Sequence, residues 1–586
     1  METQSWLLLI VVIVLLGALH YVRRRLREPA ELLADWMRRL HAGDGARAPA
    51  LPRRGLLAPL ARETETLVED LHRAKNAAET EARLRERGDS HWTAEKLREH
   101  VRAKLDGRRL LVASNREPYR HVRRDGGVAC ETPASGLVTG LEPVLRACGG
   151  VWVAHGDGDA DRETADGKGR LSVPPGSSQY LLRRVWLTAE EEQGYYCGLA
   201  NEGLWPLCHI AHTRPAFRPQ DWDFYRRVNA KFAQAILDEI LGFPEPCLLI
   251  QDYHFTLLPR LIKEARPDAR VALFWHIPWP NPEGFGICPW QREILEGMLG
   301  ADVIGFHTQW HCNNFLDTAD RVLECRIDRE RFAVRRGERS TAVRPFPISV
   351  DAPSAPGPRT GEEREALRKT VMKRLGVEPR YLAVGVDRVD YTKGIPERFR
   401  GLERFLEKYP RYRGRLTLAQ IGAPSRTHIP AYARLNEEVA AEAKRINARF
   451  AGAGCPPIIL LQRAQSRAEI LPLYRAADLC LVTPLHDGMN LVAKEFAASR
   501  DDEGGALVLS RFTGASRELR DALLVNPYDV DEVAEAIRAG LEMDESERAM
   551  RMSRMRRAIR DNNIYRWAGD LISEVAGVRL EAAAET

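Results

Sequence analysis

Short runs of consecutive apolar residues recur along the chain from about residue 108, and each is followed by a loop and a stretch with helical spacing of apolar positions. Unbroken apolarity is typical of parallel strands that are covered on both faces. Strands that alternate with helices indicate a doubly wound α/β fold. Ten runs are predicted to be strands: 110–113, 248–250, 271–274, 303–306, 382–386, 416–421, 458–461, 479–482, 506–509 and 523–525.

A strand-poor stretch rich in Pro, Gly and Glu, at 348–379, divides these strands into two groups. Ten strands are also too many for one comfortable sheet. We therefore expect two Rossmann-like domains, 108–350 and 375–550, that face each other across a cleft. Ligands of such folds bind at the carboxyl ends of the strands, so catalytic and binding residues are expected in the loops that follow the strands.

The first residues form a separate zone, since 5–22 contains no Asp, Glu, Lys or Arg. A helix of this length spans about 27 Å, enough to cross the hydrocarbon core of a bilayer. The arginine cluster at 23–27 follows it, which places the rest of the chain in the cytoplasm by the positive-inside rule. We expect a single-pass anchor in the inner, cytoplasmic membrane. A signal peptide, whose positive charge normally precedes the apolar run, and an apolar soluble helix are the alternatives.

Residues 28–105 are rich in Arg, Glu, Ala and Leu and are predicted to be a helical spacer. Within it, apolar positions from 60 to 78 follow a heptad-like spacing that ends at Glu81. This stripe is compatible with a solvated helix or with a weak dimerising coiled coil. The sequence therefore leaves open whether the chain forms a homo-oligomer.

Composition and charge narrow the functional class. Hydrophobic residues at 44% and charged residues at 29% are typical of a globular protein. A net charge of +5, spread over 586 residues, gives no reason to expect nucleic-acid binding. The ten Cys form no C-x-x-C pair and are expected to be reduced core residues. His307 and His311 lack a third ligand, so no metal is expected.

The loop at 483–495 follows a predicted strand and opens a helix. Its Gly488 lets the backbone approach a ligand closely, and the free N–H groups of residues 489–492 favour an anion at the helix start. Glu495, one to two turns inside that helix, is placed to accept hydrogen bonds from hydroxyls. The pattern resembles a nucleotide-sugar site, and the alternative is an ordinary strand–helix turn in which Asp487 is the N-cap.

Further candidate groups follow other strands. Arg388 and Lys393, five residues apart, suit a diphosphate leaving group, although an ion pair with Asp387 or Asp390 is the simpler explanation. Arg426, in the loop 422–426, is a phosphate donor or an ordinary exposed Arg. The first half contributes Arg116, the small-residue turn containing Gly136, Asp252 and His276.

These stretches resemble those of the trehalose-6-phosphate synthase family of retaining glycosyltransferases, whose two Rossmann-like domains form a GT-B fold. The resemblance covers about 108–573 and is most specific in the motifs 385–399 and 487–495. The remaining matching stretches are 114–116, 195–196, 204–206, 252–254, 276–278 and 525–528.

The resemblance implies a transfer of glucose from UDP-glucose, or another nucleoside diphosphate glucose, to glucose 6-phosphate without a cofactor or metal. It also implies that a C-terminal helix at 551–575 crosses back to the N-terminal domain. The implied catalytic residues are His276, Asp487, Arg388 and Lys393. The implied donor-binding residues are Gly136, Arg388, Lys393, Gly488, Met489, Asn490, Leu491, Val492 and Glu495. The implied acceptor-binding residues are Arg116, Tyr196, Trp205, Asp252 and Arg426.

Departures from the family pattern cluster near the acceptor, at 117–130, at 155–158 and at His486. The segment 155–158 stands where the family usually has a Trp-containing turn. Acceptor identity is therefore left open between glucose 6-phosphate and glycerol 3-phosphate, the acceptor of the glucosylglycerol-phosphate synthase type. A membrane-tethered, inactive sugar-phosphate sensor is a third alternative.

Overall fold

The computed structural model describes residues 20–21, 23–27, 31, 91–124, 126–133, 136–210, 212–351, 357–358 and 360–580. The chain divides into two units, Met1–His91 and Trp92–Thr586. In the first unit a short π-helix is described at Arg23–Arg27. The predicted membrane span lies outside the described residues except for His20 and Tyr21, and so does the heptad-like stripe. Among the helices that the structure describes, none is long and apolar enough to cross a membrane.

The N-terminal domain is built on a ten-stranded sheet whose central strands are parallel and, except for Arg116, buried. The antiparallel pairs lie at its two edges. In sheet order the strands are Arg326–Asp328, Ala333–Arg336, Arg339–Pro345, Val303–Phe306, Arg270–Phe274, Cys247–Gln251, Leu110–Arg116, Val151–His155, Tyr180–Val185 and Arg170–Val173. A separate hairpin pairs Arg120–Arg124 with Gly127–Glu131.

The C-terminal domain is built on a six-stranded, wholly parallel sheet. In sheet order its strands are Ile458–Leu461, Leu416–Ala423, Tyr381–Arg388, Leu479–Val482, Ala506–Ser510 and Leu523–Val525. All ten apolar runs singled out in the sequence are strands of one sheet or the other, which confirms the two-sheet α/β prediction. The additional strands belong to the N-terminal sheet and to the hairpin.

Helices cover both sheets. In the first part of the second unit the α-helices are Ala94–Leu105, Gly136–Cys148, Asp161–Thr164, Ala189–Glu192, Trp205–His209, Pro219–Ile240, Leu258–Ala265, Pro282–Phe285, Gln291–Met298 and Gln309–Val322, with a π-helix at Gln193–Leu204. In the second part they are Gly361–Leu375, Ile395–Lys408, Pro430–Arg449, Arg467–Ala476, Leu491–Ser499, Val530–Glu542, Glu545–Asp561 and Ile564–Ala576. Short 3-10 helices lie at Tyr253–Phe255, Tyr391–Lys393, Pro410–Tyr412 and Gly514–Arg517.

The second unit begins before the expected boundary at 108. Helix Ala94–Leu105 is capped by Thr93 and buries Leu97, Val101 and Leu105 in the core of this unit. Trp92 and His100 extend the contact, because Asn563 Nδ2 donates to the Trp92 carbonyl at 2.7 Å and His100 Nε2 lies 2.6 Å from Ser573 Oγ. The last part of the predicted spacer is therefore an element of the folded unit.

The chain crosses between the two domains twice. After the N-terminal sheet, the first crossing reaches helix Gly361–Leu375, which precedes the C-terminal sheet. At the other end, helix Ile564–Ala576 lies on helices and strands of the N-terminal domain. Its Ile564 N–H donates to the Val350 carbonyl at 3.4 Å, and Tyr565 Oη donates to Asp351 Oδ2 at 2.9 Å. The returning helix is thus tied to the first crossing, and the open cleft lies between the carboxyl edges of the two sheets.

Candidate active site

A cavity of about 650 Å³ lies between the carboxyl edges of the two sheets. Its volume is within the range of small-molecule sites. Fourteen of the residues singled out in the sequence line it, although they come from loops up to about 380 positions apart: Arg116, Tyr196, Trp205, Asp252, His276, Arg388, Lys393, Arg426, Asp487, Met489, Asn490, Leu491, Val492 and Glu495.

The start of helix Leu491–Ser499 forms one wall. Asn490, at φ 77°, is its N-cap and accepts from the Ala493 N–H, so the alternative of an Asp487 N-cap is wrong. Asp487 Oδ2 instead accepts from Lys393 Nζ at 2.5 Å and from Asn490 Nδ2 at 3.1 Å. Burial would raise the pKa of Asp487, but Lys393 outweighs it and holds that pKa below its usual value. An anionic side chain thus fixes Lys393 beside a helix N-terminus that itself favours anions.

Gly488 joins this wall to the opposite domain. A Cβ on Gly488 would lie 2.2 Å from the His276 carbonyl oxygen, which no side chain tolerates. A Cβ on Gly514 would likewise meet the Gly488 carbonyl oxygen at 2.2 Å. Close backbone packing explains why the loop needs glycine at 488. It also puts the helix start directly beside His276.

His276 and Asp252 lie at neighbouring strand ends of the N-terminal sheet. The His276 N–H donates to Asp252 Oδ1 at 3.1 Å, and His276 Nε2 lies 2.8 Å from Gln251 Oε1. Burial lowers the pKa of His276 to about 3, with His254 contributing, so its imidazole is neutral at pH 7. Burial raises the pKa of Asp252 to about 7, against backbone donors at Tyr253 and His276. At pH 7 His276 is therefore neutral and Asp252 is partly ionised, and both groups can hydrogen-bond a sugar.

Arg388 faces the cavity with its side chain 38% exposed. Its guanidinium lies 3.9 Å from Asp390 Oδ2 and 5.7 Å from the centre of the Trp205 ring. A contact of 3.9 Å is longer than a charge-assisted hydrogen bond, so the ion pair anticipated from the sequence is loose. Arg388 is consequently available to an anionic ligand.

Arg426 and Arg116 come from different domains and converge on one aromatic side chain. The Arg426 guanidinium lies 5.9 Å from the Tyr196 ring centre and 4.5 Å from that of Trp205. Arg116 Nη2 donates to Tyr196 Oη at 3.5 Å. Burial opposes ionisation of the Tyr196 phenol, but Arg426 and Arg116 outweigh it and lower the pKa of Tyr196 to about 8. Two cations and an acidified phenol thus lie together at this end of the cavity, a combination that suits an anionic ligand.

The remaining donor-site predictions fall into two groups. Glu495 lines the cavity in the second turn of its helix, and burial raises its pKa. Gly136 begins helix Gly136–Cys148, whose next residue, Leu137, lines the cavity. Gly136 itself is not among the described lining residues, so its predicted donor-binding role stays a prediction.

Several residues at the site were not assigned a binding role from the sequence. Asp390 is fully buried and receives Trp205 Nε1 at 3.3 Å and Arg426 at 3.5 Å, so it links residues of both domains. Gln251, immediately before Asp252, supports His276. In the sequence, the only indication of a role for these two residues is their position, within the motif 385–399 for Asp390 and immediately before the motif 252–254 for Gln251. The sequence suggests Asp390 only as an ion-pair partner of Arg388 or Lys393.

Two groups of the described residues are potential metal ligands. Glu117, Asp157 and Asp161 bring three carboxylates within 4.8 Å. Arg184, also buried, already donates to Glu117 at 2.7 Å and lies 2.8 Å from Asp161, so this cluster has an internal counter-charge. His307 and His311 are both buried, and burial lowers the pKa of each. His307 Nε2 lies 3.0 Å from the His276 carbonyl oxygen, so it is a structural partner of the site.

The sequence profile of glycosyltransferase family 20 matches residues 108–577. The chain belongs to glycosyltransferase family 20. It is 37% identical over 487 residues to the trehalose-6-phosphate synthase of Mycolicibacterium vanbaalenii, a match that spans 81% of this chain and 97% of that relative. The family resemblance expected from the motifs is confirmed.

Solved structures of family 20 share the fold. An Escherichia coli structure with bound UDP-2-fluoro glucose has a TM-score of 0.70 at 32% identity, and the match covers 81% of this chain and 100% of that one. The Burkholderia xenovorans alpha,alpha-trehalose-phosphate synthase in complex with glucose-6-phosphate has a TM-score of 0.69 at 30% identity, covering 80% and 100%. The chain is thus a glycosyltransferase with the GT-B-like α/β fold.

Proposed function

We propose that this family 20 enzyme transfers glucose from UDP-glucose to glucose 6-phosphate and forms trehalose 6-phosphate with retention of configuration. One observation carries the proposal: a single cavity joins a cationic helix start to a second anion site. Arg388 and Lys393 lie at the first, and Arg116 and Arg426 at the second. Two phosphorylated substrates in one cleft require two such sites. The relative named above is a trehalose-6-phosphate synthase, and the two solved structures contain UDP-2-fluoro glucose and glucose-6-phosphate.

The chemistry follows from where charge develops. As the glucosyl bond to the diphosphate breaks, negative charge grows on the leaving oxygens, and Arg388, Lys393 and the helix N-terminus stabilise it. Asp487 holds Lys393 in position. His276 and Asp252 bind sugar hydroxyls. The departing diphosphate assists deprotonation of the incoming hydroxyl on the same face, which gives retention without a protein nucleophile.

The direct test is product identification. The full chain is incubated with UDP-glucose and glucose 6-phosphate, UDP release is measured, and the product is identified by NMR from its anomeric signals. We expect one UDP per trehalose 6-phosphate with α,α configuration. GDP-, ADP- and TDP-glucose, tested in parallel, establish the donor base. UDP release without a disaccharide phosphate would refute the proposal.

The acceptor assignment favours glucose 6-phosphate over glycerol 3-phosphate. Tyr196 and Trp205 line the acceptor end of the cavity with aromatic rings, and aromatic side chains suit contact with a sugar ring. The curated relatives are trehalose-6-phosphate synthases. A higher kcat/KM for glycerol 3-phosphate than for glucose 6-phosphate would overturn the assignment of the acceptor while leaving the donor chemistry intact.

We further propose that 5–22 anchors the enzyme in the cytoplasmic membrane with the catalytic unit in the cytoplasm. The support is the uncharged apolar run followed by the arginine cluster at 23–27. A cytoplasmic catalytic unit has direct access to nucleotide sugars. The anchor would confine synthesis to the membrane surface.

A further inference from the structure

Beside Arg116, which lines the cavity, lies an acidic side chain that none of the assigned roles uses. Asp157 Oδ2 accepts from Arg116 Nη1 at 3.3 Å, and Asp157 Oδ1 lies 4.0 Å from Arg120 Nη1. Arg116 also donates to Tyr196, so the cation proposed to bind the acceptor phosphate already has a carboxylate partner. The Asp157 side chain is 26% exposed and therefore remains accessible to solvent and ligand.

The loop that carries Asp157 is held by its backbone on both sides. The Gly156 N–H donates to the Val185 carbonyl at 3.3 Å, the Asp157 N–H to Glu117 Oε1 at 3.4 Å and the Gly158 N–H to Asp161 Oδ2 at 2.7 Å. The buried Arg184 in turn holds both Glu117 and Asp161. Asp157 is therefore part of a fixed loop.

The flanking glycines are required by close packing. A Cβ at Gly156 would lie 2.5 Å from the Trp186 ring, and one at Gly158 would lie 2.3 Å from the His121 carbonyl oxygen. A side chain at either position would therefore displace the loop from Trp186 or from strand Arg120–Arg124. The carboxylate is thus positioned by the fold beside Arg116.

We propose that Asp157 is a specificity-determining residue of the acceptor site. It is an internal counterion of Arg116, and its negative charge opposes the binding of the acceptor phosphate. The inference rests on the proposed function, since it assumes a phosphorylated acceptor at Arg116 and Arg426. In the free enzyme Asp157 neutralises Arg116. When the phosphate binds, Arg116 turns to it, and the carboxylate remains nearby as a like charge that weakens binding and promotes release of the phosphorylated product. Arg120 limits this repulsion, because it lies on the other side of Asp157.

Asp157→Asn tests the charge alone, because asparagine has the same shape and keeps an oxygen that can accept from Arg116. We expect the KM for glucose 6-phosphate, from steady-state kinetics, and the Kd for inorganic phosphate, from calorimetry, to fall about three- to tenfold at low salt. The gain in phosphate affinity of Asp157→Asn over the wild type should shrink with added salt. It also shrinks below pH ~6, where a phosphate ester loses its second charge. Asp157→Glu, which keeps the negative charge, should have the wild-type KM and Kd.

Asp159→Asn is the matched control, since Asp159 lies in the same loop, is exposed and accepts only through its contact with the Arg123 N–H among those described. It should leave both constants unchanged. A rise or no change in KM and Kd for Asp157→Asn would overturn the proposal. Phosphate binding needs no turnover, so a wild-type enzyme that makes no product from glucose 6-phosphate would sink the proposed function while the phosphate Kd still decides the role of Asp157.

Discussion

In the proposed reaction Arg388 stabilises the leaving diphosphate, since it reaches the cavity with only a loose contact to Asp390. Charge that appears on a leaving diphosphate is stabilised more in the transition state than in the ground state. We expect Arg388→Ala to lower kcat about 10²- to 10³-fold, the scale for loss of one stabilising donor. Steady-state kinetics with saturating UDP-glucose measure it.

A matched arginine is available on the outer face of the same domain. Arg400 lies in helix Ile395–Lys408, is 44% exposed and pairs with Glu438 and Glu442. Arg400→Ala should keep kcat within twofold of wild type, since exposed ion pairs contribute little. Turnover of Arg388→Ala within threefold of wild type would contradict the donor assignment.

Asp252 gives a pH dependence whose direction follows from its burial. The carboxyl, with a pKa of about 7, accepts hydroxyl hydrogen bonds fully only above that pH. The acceptor kcat/KM should therefore rise as pH increases through about 7. Asp252→Asn should remove this rise from the pH profile of kcat/KM and lower the kcat/KM at high pH about 10- to 100-fold, the cost of losing a charged hydrogen bond. A rise that persists in the variant would assign the titration to another group.

The same pKa has a consequence for stability. In the unfolded chain the Asp252 carboxyl titrates at ~3.9, whereas in the native state its pKa is about 7. Between about pH 4 and pH 7 the native state therefore binds more protons than the unfolded state. The contribution of Asp252 to the free energy of unfolding falls as pH rises through this range. The melting temperature of Asp252→Asn, relative to wild type, should therefore increase between pH 5 and pH 8. Differential scanning calorimetry at both pH values measures the change.

At the scale of elements, helix Ala94–Leu105 decides where the catalytic unit can be cut. A protein lacking 1–91 retains this helix, whereas one lacking 1–105 exposes the surface that Leu97, Val101 and Leu105 cover. We expect the first to be folded with the same melting temperature as the full chain in detergent. The second should unfold at lower temperature or aggregate.

A point substitution separates packing from truncation. Leu97→Ala should lower the free energy of unfolding by about 2–5 kcal/mol, as buried leucines do, while Arg102→Ala, exposed on the same helix, should change it by less than about 0.5 kcal/mol. Denaturant titration of the protein lacking 1–91 measures both. Equal stabilities of the two variants would contradict the packing role of this helix.

At the scale of the whole molecule, the proposed acceptor site is formed only where the two domains meet. Arg426 contacts Tyr253 Oη at 3.4 Å across the cleft, and Arg116 lies on the opposite domain. An acceptor without the phosphate loses its charge-assisted contacts with both cations, so the kcat/KM for free glucose should be roughly 10³-fold or more below that for glucose 6-phosphate. Arg426→Ala should narrow this ratio. An unchanged ratio would exclude Arg426 from phosphate recognition.

Topology is the other property of the whole molecule. If 5–22 anchors the chain with the arginine cluster inside, a C-terminal fusion to a fluorescent protein that matures in the cytoplasm should be bright, and a fusion to a phosphatase that is active only in the periplasm should be inactive. The reverse pattern would contradict both the orientation and the access to nucleotide sugars.

The sequence predicted the ten principal strands, the two-domain α/β architecture and the donor motifs, because buried parallel strands and glycine-containing phosphate loops leave strong local patterns. Edge strands such as Arg326–Asp328 and Ala333–Arg336 were missed, since arginines on an exposed edge do not form an apolar run. The strand Val151–His155 was missed although it is fully buried.

Only the tertiary structure decided which of these residues meet. Local pattern identified Arg116 and Arg426 as candidates, but 310 positions separate them, and their common anion site depends on how the domains close. The contacts around these cations are likewise non-local: Asp157 reaches Arg116 through a loop held by Arg184, and Asp390, which pairs with Arg426, also contacts Trp205 of the other domain. Short-range spacing determines strands and loops, whereas the charge around a binding site is the sum of contacts that only the packed chain brings together.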